Sequence, residues 1–188
     1  SSSAMQEYLV AAGSRRQTPV VGQTLQLGGG AVLRFLALNG EVLGGTKVSV
    51  RGRIGEENAR SIAMRVEYGD FSLWVGGDLT GGYLSEPDVE TPTALACGDV
   101  DVYIANHHGS RWSTNANLVA RLRPELALAS AGIGNGVGAP SVAVINRLNS
   151  ASASIPMLAT TVGSRMKGFS VCGTVTITTD GSRYRATA

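Results

Sequence analysis

The chain contains two histidines and they are adjacent: His107-His108-Gly109-Ser110 follows the apolar run Val102-Tyr103-Ile104 after Ala105-Asn106. Neutral imidazole is the commonest side-chain ligand for zinc and similar ions, and it also carries protons near neutral pH. Upstream, Phe71-Ser72-Leu73-Trp74-Val75 ends in Gly76-Gly77-Asp78, so a second apolar run delivers a carboxylate through a glycine turn. An Asp and a His carried on strand ends are two parts of a metal site. Each also has a plainer reading. Asp78 alone reads as a turn aspartate accepting from local amides, and the histidines as loop residues satisfied by backbone hydrogen bonds. Successive residues of extended chain point to opposite sides, so both imidazoles are not expected on one ion.

These groups need strands behind them. Leu25 and Leu27 alternate from Thr24, three glycines at 28–30 turn the chain, and 32–38 returns as an apolar strand. The glycine-rich segment 39–58 reads as a surface loop with an edge strand at 47–51. Ile62, Met64, Val66 and Tyr68 alternate with Ala63, Arg65 and Glu67, and Gly69-Asp70 turns this strand into 71–75. A short helix is expected at 93–97. Beyond the histidines, Ser113 or Thr114 caps a helix from 115 to 122, Pro124 ends it, and 126–130 is a strand. Pro140 opens a helix reaching 148. Strands follow at 157–161 and 173–179, the latter joined through a two-residue Asp180-Gly181 hairpin to 184–187. Hairpins before residue 98 and alternating strands and helices after it predict a layered, mixed α/β domain at 24–188. Residues 1–23 read as a helix over 4–12 with a Ser3/Gln6 capping box, stopped by Gly13, then a linker. The Ser-Ser-Ser-Ala start, with neither Met nor an apolar leader core, reads as an expression remnant or a cleaved end.

Composition narrows the partners. A net charge of +2 over 188 residues gives no electrostatic argument for nucleic acid. All basic residues except Lys47 and Lys167 are arginine, the better bidentate phosphate partner, although arginine-rich codon usage in a GC-rich genome is the readier explanation. No apolar run reaches the roughly 18–20 residues of a membrane span, so the chain is expected to be soluble, in the bacterial cytoplasm or periplasm. Cys97 and Cys172 lack zinc-finger spacing and read as isolated buried thiols. The loop from Gly132 to Gly138 lacks the Lys-Ser/Thr of a phosphate loop and the dinucleotide fingerprint.

Asn58-x-x-Ser61, Gly76-Gly77-Asp78, Asp99-Val100-Asp101-Val102 leading to His107-His108-Gly109-Ser110, and Ser113-Thr114-Asn115 together resemble the second half of a metallo-β-lactamase-fold hydrolase. The type they are most similar to is the soluble domain of bacterial ComEC-like competence proteins and their free-standing relatives. The resemblance runs from about Thr24 to the C-terminus. It implies the C-terminal portion of an αββα sandwich with a mixed sheet, and a binuclear zinc or manganese centre. By position, Asp78 would bridge the metals and His108 would ligate one, leaving His107 for substrate contact or proton transfer. Asn58, Ser61, Ser110, Ser113, Thr114 and Asn115 would support the centre or touch substrate, although Ser113-Thr114-Asn115 is equally an ordinary helix cap. Asp99 or Asp101 could orient a histidine, with Asp101 expected on the opposite side of its strand.

The chain also departs from that pattern. Relatives carry a His-x-His-x-Asp-His cluster in the preceding half, which is missing here, and their His-Pro pair is Ala139-Pro140. A catalytic zinc takes about three protein ligands and a water, so Asp78 and His108 fall short. The resemblance therefore implies a metal-dependent hydrolase, phosphodiesterase- or nuclease-like, once completed by an N-terminal half. The alternative is a degenerate, non-catalytic binding or assembly module. The second sheet alone would leave an apolar inner face uncovered, so a partner is expected: the N-terminal half, or failing that a second copy.

Overall fold

A computed structural model describes residues 3–52, 56–132, 138–151, 154–161 and 169–188. Helix α1 (Ser3–Ala12) passes into a single 3-10 turn through Arg15 and buries none of its residues. Ser3, expected at its cap, is already helical. The chain then enters β1 (Thr24–Gly28), β2 (Ala31–Leu38) and the two-residue β3 (Glu41–Val42). In the glycine-rich segment β3 is the paired edge strand, while Lys47 makes only an isolated bridge to Glu41. The expected strand at 47–51 does not form, because the segment folds back on itself through Val42 N to Thr46 O and Val48 N to Gly40 O.

After the single turn α2 (Glu56–Ala59), β4 (Ala63–Tyr68) and β5 (Phe71–Val75) form the expected hairpin. Next come α3 (Glu90–Cys97), β6 (Val102–Ile104), α4 (Ala116–Leu122), β7 (Leu126–Ala129), α5 (Val142–Asn149), β8 (Met157–Ala159) and β9 (Ser170–Val171). One mixed sheet results, in the order β1-β2-β4-β5-β6-β7-β8-β9 with β3 beside β2. Pairing is antiparallel from β1 to β5 and parallel from β5 to β9. The switch at β5 follows from connection length: short turns allow only antiparallel neighbours, while the segments carrying α3, α4 and α5 are long enough for crossovers.

Three local expectations change. Helix α3 starts at Glu90 rather than 93, since Asp88 Oδ1 accepts from Thr91 N at 3.0 Å and caps an earlier turn. Helix α4 is capped by Asn115, whose Oδ1 accepts from Leu118 N at 2.8 Å, and not by Ser113 or Thr114. Pro140 precedes α5 in a cis peptide bond, and Ser141 is the cap.

The two faces of the sheet differ. On one, Trp74, Tyr103, Ala127 and Met157 stand in register and join Ala94, Leu118, Leu122, Val144 and Leu148 of the three helices in the main core. On the other, Leu33, Val66, Leu73, Val102 and Leu126 form one apolar row across five strands. Met64, Val75, Ile104, Leu128 and Leu158 form the next. A separate hairpin, β10 (Thr176–Thr179) and β11 (Tyr184–Thr187), packs Ile177, Tyr184 and Ala186 on the first row, with Tyr184 and Phe71 rings 5.6 Å apart. The second row is half-buried throughout. The hairpin loop spans 180–183 rather than two residues, because Asp180 Oδ1 accepts from Ser182 N and Arg183 N, both at 2.9 Å. Both cysteines are free and half-buried, short of the burial expected of them. Among the described residues no helix is long and apolar enough to cross a membrane.

Candidate functional site

Parallel strands bring their C-terminal ends to one sheet edge, which is where such sheets place ligands. Strand β5 ends in Gly76-Gly77-Asp78, β6 in the Asn106–Gly109 turn, and β7 in Ser130. Gly76 is required there: a Cβ would collide with Asn106 Oδ1 and come within 2.7 Å of Trp74 Nε1. Gly109, at φ +80, lies where a Cβ would stand 3.0 Å from Pro140 Cβ.

Asp78 and His108 meet across this edge, with Oδ1 and Nε2 3.7 Å apart and the side chains 40% and 56% exposed. His108 Nδ1 lies 2.7 Å from the Ser130 carbonyl, which can only accept, so Nδ1 is the donor. Ser61 Oγ accepts from Asp78 N at 3.1 Å, and Asn58 supplies a carbonyl to Ser61 N at 3.0 Å. His107 donates its backbone N–H to Gly77 O at 2.9 Å, and its Nδ1 is buried without a hydrogen-bond partner among the described residues. Among the described residues no three His, Cys, Asp or Glu side chains come together as a metal-holding group.

Behind the turn lies a polar network. Glu90 is fully buried, and its carboxylate accepts from Asn106 Nδ2 at 2.8 Å, Thr114 N at 2.6 Å and Asn115 N at 2.7 Å. Burial pushes its pKa up to about 7, against the lowering pull of those three donors. Asn106 is held on every side: Oδ1 accepts from Trp74 Nε1 at 2.9 Å, N donates to Tyr103 Oη at 3.0 Å, and O accepts from Ser113 Oγ at 2.7 Å. Burial raises the Tyr103 phenol, which stays neutral and shares a hydrogen bond with Thr114 Oγ1 at 2.8 Å.

The polar residues expected around the site therefore divide. Ser61 supports Asp78 directly. Ser110, Ser113, Thr114 and Asn115 are buried within the loop. Ser110 Oγ accepts from Trp112 N, and Asn115 Nδ2 reaches Gly81 O, Asp88 Oδ1 and Thr91 Oγ1 besides capping α4. Asp99 and Asp101 stand at the opposite end of β6, where Asp99 pairs with Arg123 and Asp101 Oδ2 accepts from Ser72 N. Most of the loop from Gly132 to Gly138 lies outside the described residues.

Sequence reasoning missed Glu90, Trp74, Asn106 and the Ser130 carbonyl. For Glu90 a signal existed: it shares the inward face of α3 with Thr93 and Ala94, three and four residues on, and a carboxylate on an apolar helix face must be satisfied internally. No family model matches the chain. A stretch of 93 residues is 32% identical to Recombination protein 2 of Haemophilus influenzae, covering 50% of this chain and 11% of that protein's length.

Proposed function

We propose that the chain is the C-terminal part of a metal-dependent hydrolase of the metallo-β-lactamase fold, acting on phosphodiesters, whose metal centre is completed by donors outside the described residues. The observation that carries this reading is the approach of Asp78 Oδ1 and His108 Nε2, from two neighbouring strand ends, to 3.7 Å. A carboxylate oxygen and an imidazole nitrogen so placed are two donor atoms that one cation can share. Two zinc–ligand bonds of about 2.0–2.1 Å at a tetrahedral angle span roughly 3.4 Å. A ligating histidine also typically donates its other N–H to a carbonyl or carboxylate, as His108 does to Ser130. These residues fit one edge of a zinc or manganese site and not the whole of it.

When bound there, such an ion supplies polarisation of a phosphoryl oxygen and activation of a water. Asp78 and His108 hold it, Ser61 fixes the backbone of Asp78, and His107 handles a proton or a phosphate oxygen beside it. The half-buried apolar row from Met64 to Leu158 supports a missing layer, supplied by an N-terminal half or by a second copy. The partial likeness to Recombination protein 2 favours nucleic acid as the phosphodiester. A second reading, a non-catalytic binding or assembly module, is favoured by the lack of a third donor among the described residues.

The test compares two proteins. The protein as its gene encodes it, loaded with zinc or manganese, is expected to cleave bis-p-nitrophenyl phosphate and DNA and to lose this in His108→Ala and Asp78→Asn. Residues 1–188 alone are expected to hold zinc weakly, release it on brief chelation without unfolding, cleave nothing measurable, and associate in light scattering at micromolar concentration. Stoichiometric, chelator-resistant zinc and His108-dependent cleavage in residues 1–188 would place the whole centre in this chain. Absence of both binding and cleavage in the longer protein would leave the assembly reading.

A further inference from the structure

The loop between β6 and α4 holds three non-glycine residues in the left-handed region: His107 at φ 50, His108 at φ 59 and Thr114 at φ 59. L side chains disfavour that region, and two in succession do not arise from local preference. The conformation must be imposed by contacts from elsewhere. Tyr103 Oη contributes from within β6 itself, touching Asn106 N and Thr114 Oγ1. From a separate element, Glu90 of α3 reaches both ends of the loop with one carboxylate.

We propose that Glu90 is a positioning residue for the histidine turn: by tying the Asn106 side chain to Thr114 N and Asn115 N, it sets where both imidazoles stand at the sheet edge. The inference deepens the hydrolase reading and rests on it only for the use made of the histidines. Three N–H donors converge on one side chain, and the two oxygens of a carboxyl group meet all three. Oε1 serves Asn106 Nδ2 and Thr114 N while Oε2 serves Asn115 N. The first pair straddles the histidines; the third starts α4. A buried carboxylate in that arrangement leaves Asn106 one orientation, because Trp74 Nε1 fixes its carbonyl and Glu90 fixes its amide. With Asn106 locked and His107 N bound to Gly77 O, the backbone entering the turn has no freedom to relax out of the left-handed region.

The test needs neither metal nor turnover, so it fails or succeeds apart from hydrolysis. In residues 1–188 labelled with 15N, the backbone and ring cross-peaks of His107 and His108 are compared across Glu90→Gln, Glu90→Leu, Asn106→Ser and a remote core variant, Leu148→Ala. Glu90→Gln can keep its oxygen on Asn106 and Thr114 and lose only Asn115, so the Asn115 amide is expected to move most and the histidines little. Glu90→Leu and Asn106→Ser are expected to shift or broaden both histidines, whereas Leu148→Ala lowers the melting temperature and leaves them in place. Should Glu90→Leu not fold, Asn106→Ser cuts the same tie from its other end and decides the matter. Histidine signals unmoved in Asn106→Ser, or moved as far by Leu148→Ala, would overturn the assignment.

Discussion

Two carboxylates stand on either side of the same turn and live opposite lives. Glu90, behind it, is fully buried and meets three N–H donors, so every lone pair facing the protein has a partner. Asp78, in front, is 40% exposed and turns an oxygen toward His108 Nε2, 3.7 Å away. Folding energy explains the first arrangement, since an unpaired buried carboxylate is ruled out by desolvation. It does not explain the second. A carboxylate and an imidazole left partly open to solvent in front of a buried, satisfied network are where a ligand fits, and the contrast between the two separates scaffold from chemistry within a single loop.

The largest effect expected from breaking this comparison is on the scaffold side. Glu90→Leu strands three buried donors, each left unsatisfied at about 1–3 kcal/mol. The sum, about 3–9 kcal/mol, is a large share of the 5–15 kcal/mol that typically holds a domain together. Chemical denaturation should show a lowered midpoint or no cooperative transition. A midpoint within experimental scatter of the parent would mean that water reaches those donors.

Glu90 also imposes a pH dependence with a definite sign. Its pKa is raised from an ordinary 4.5 to about 7, so between those values the folded chain holds a proton that the unfolded chain has lost. Stability from this group is therefore full below about pH 4.5, falls as pH rises through the window and is flat above about 7, with a span of at most about 3 kcal/mol. Glu90→Gln does not titrate. The melting-temperature gap between wild type and Glu90→Gln should accordingly be wider at pH 5 than at pH 8. A gap that widens with pH instead would mean that the three donors outweigh burial and the carboxylate is the native form.

Asn115→Ala comes next. It removes the α4 cap and the contacts of Nδ2 with Gly81, Asp88 and Thr91, and should lower stability by about 1–2 kcal/mol. Asn117→Ala on the exposed side of the same helix end is the comparison, expected to change the midpoint little.

How much of this was legible in the sequence follows from range. The strands at 63–68 and 71–75, the histidine turn and the switch from hairpins to crossovers rest on periodicity and turn residues, which act within a few positions. Asp78 and His108 could be paired because each ends an apolar run that sheet topology carries to one edge. The role of Asn115 as cap rather than Ser113 or Thr114 was hidden because three consecutive residues can each cap, and Thr114 is held left-handed by partners far off in the chain. Glu90 was hidden for the same reason: its partners lie 16 to 25 positions away. The Ser130 carbonyl has no side-chain signature.

On the chemical side the effect on stability should be smallest of all. Asp78→Asn and His108→Ala change half-exposed groups at the sheet edge; His108 gives up one bond to Ser130, and Asp78→Asn keeps the backbone N–H held by Ser61. Substitutions of this kind fall within about ±0.5 kcal/mol. Asp78→Asn should therefore leave the stability of the metal-free chain close to that of the parent. Zinc is the counter-measurement: it should raise the melting temperature of the parent chain slightly and that of neither variant. Loss of a full kcal/mol in metal-free Asp78→Asn would show that Asp78 is structural after all, and would return it to the reading of a turn aspartate.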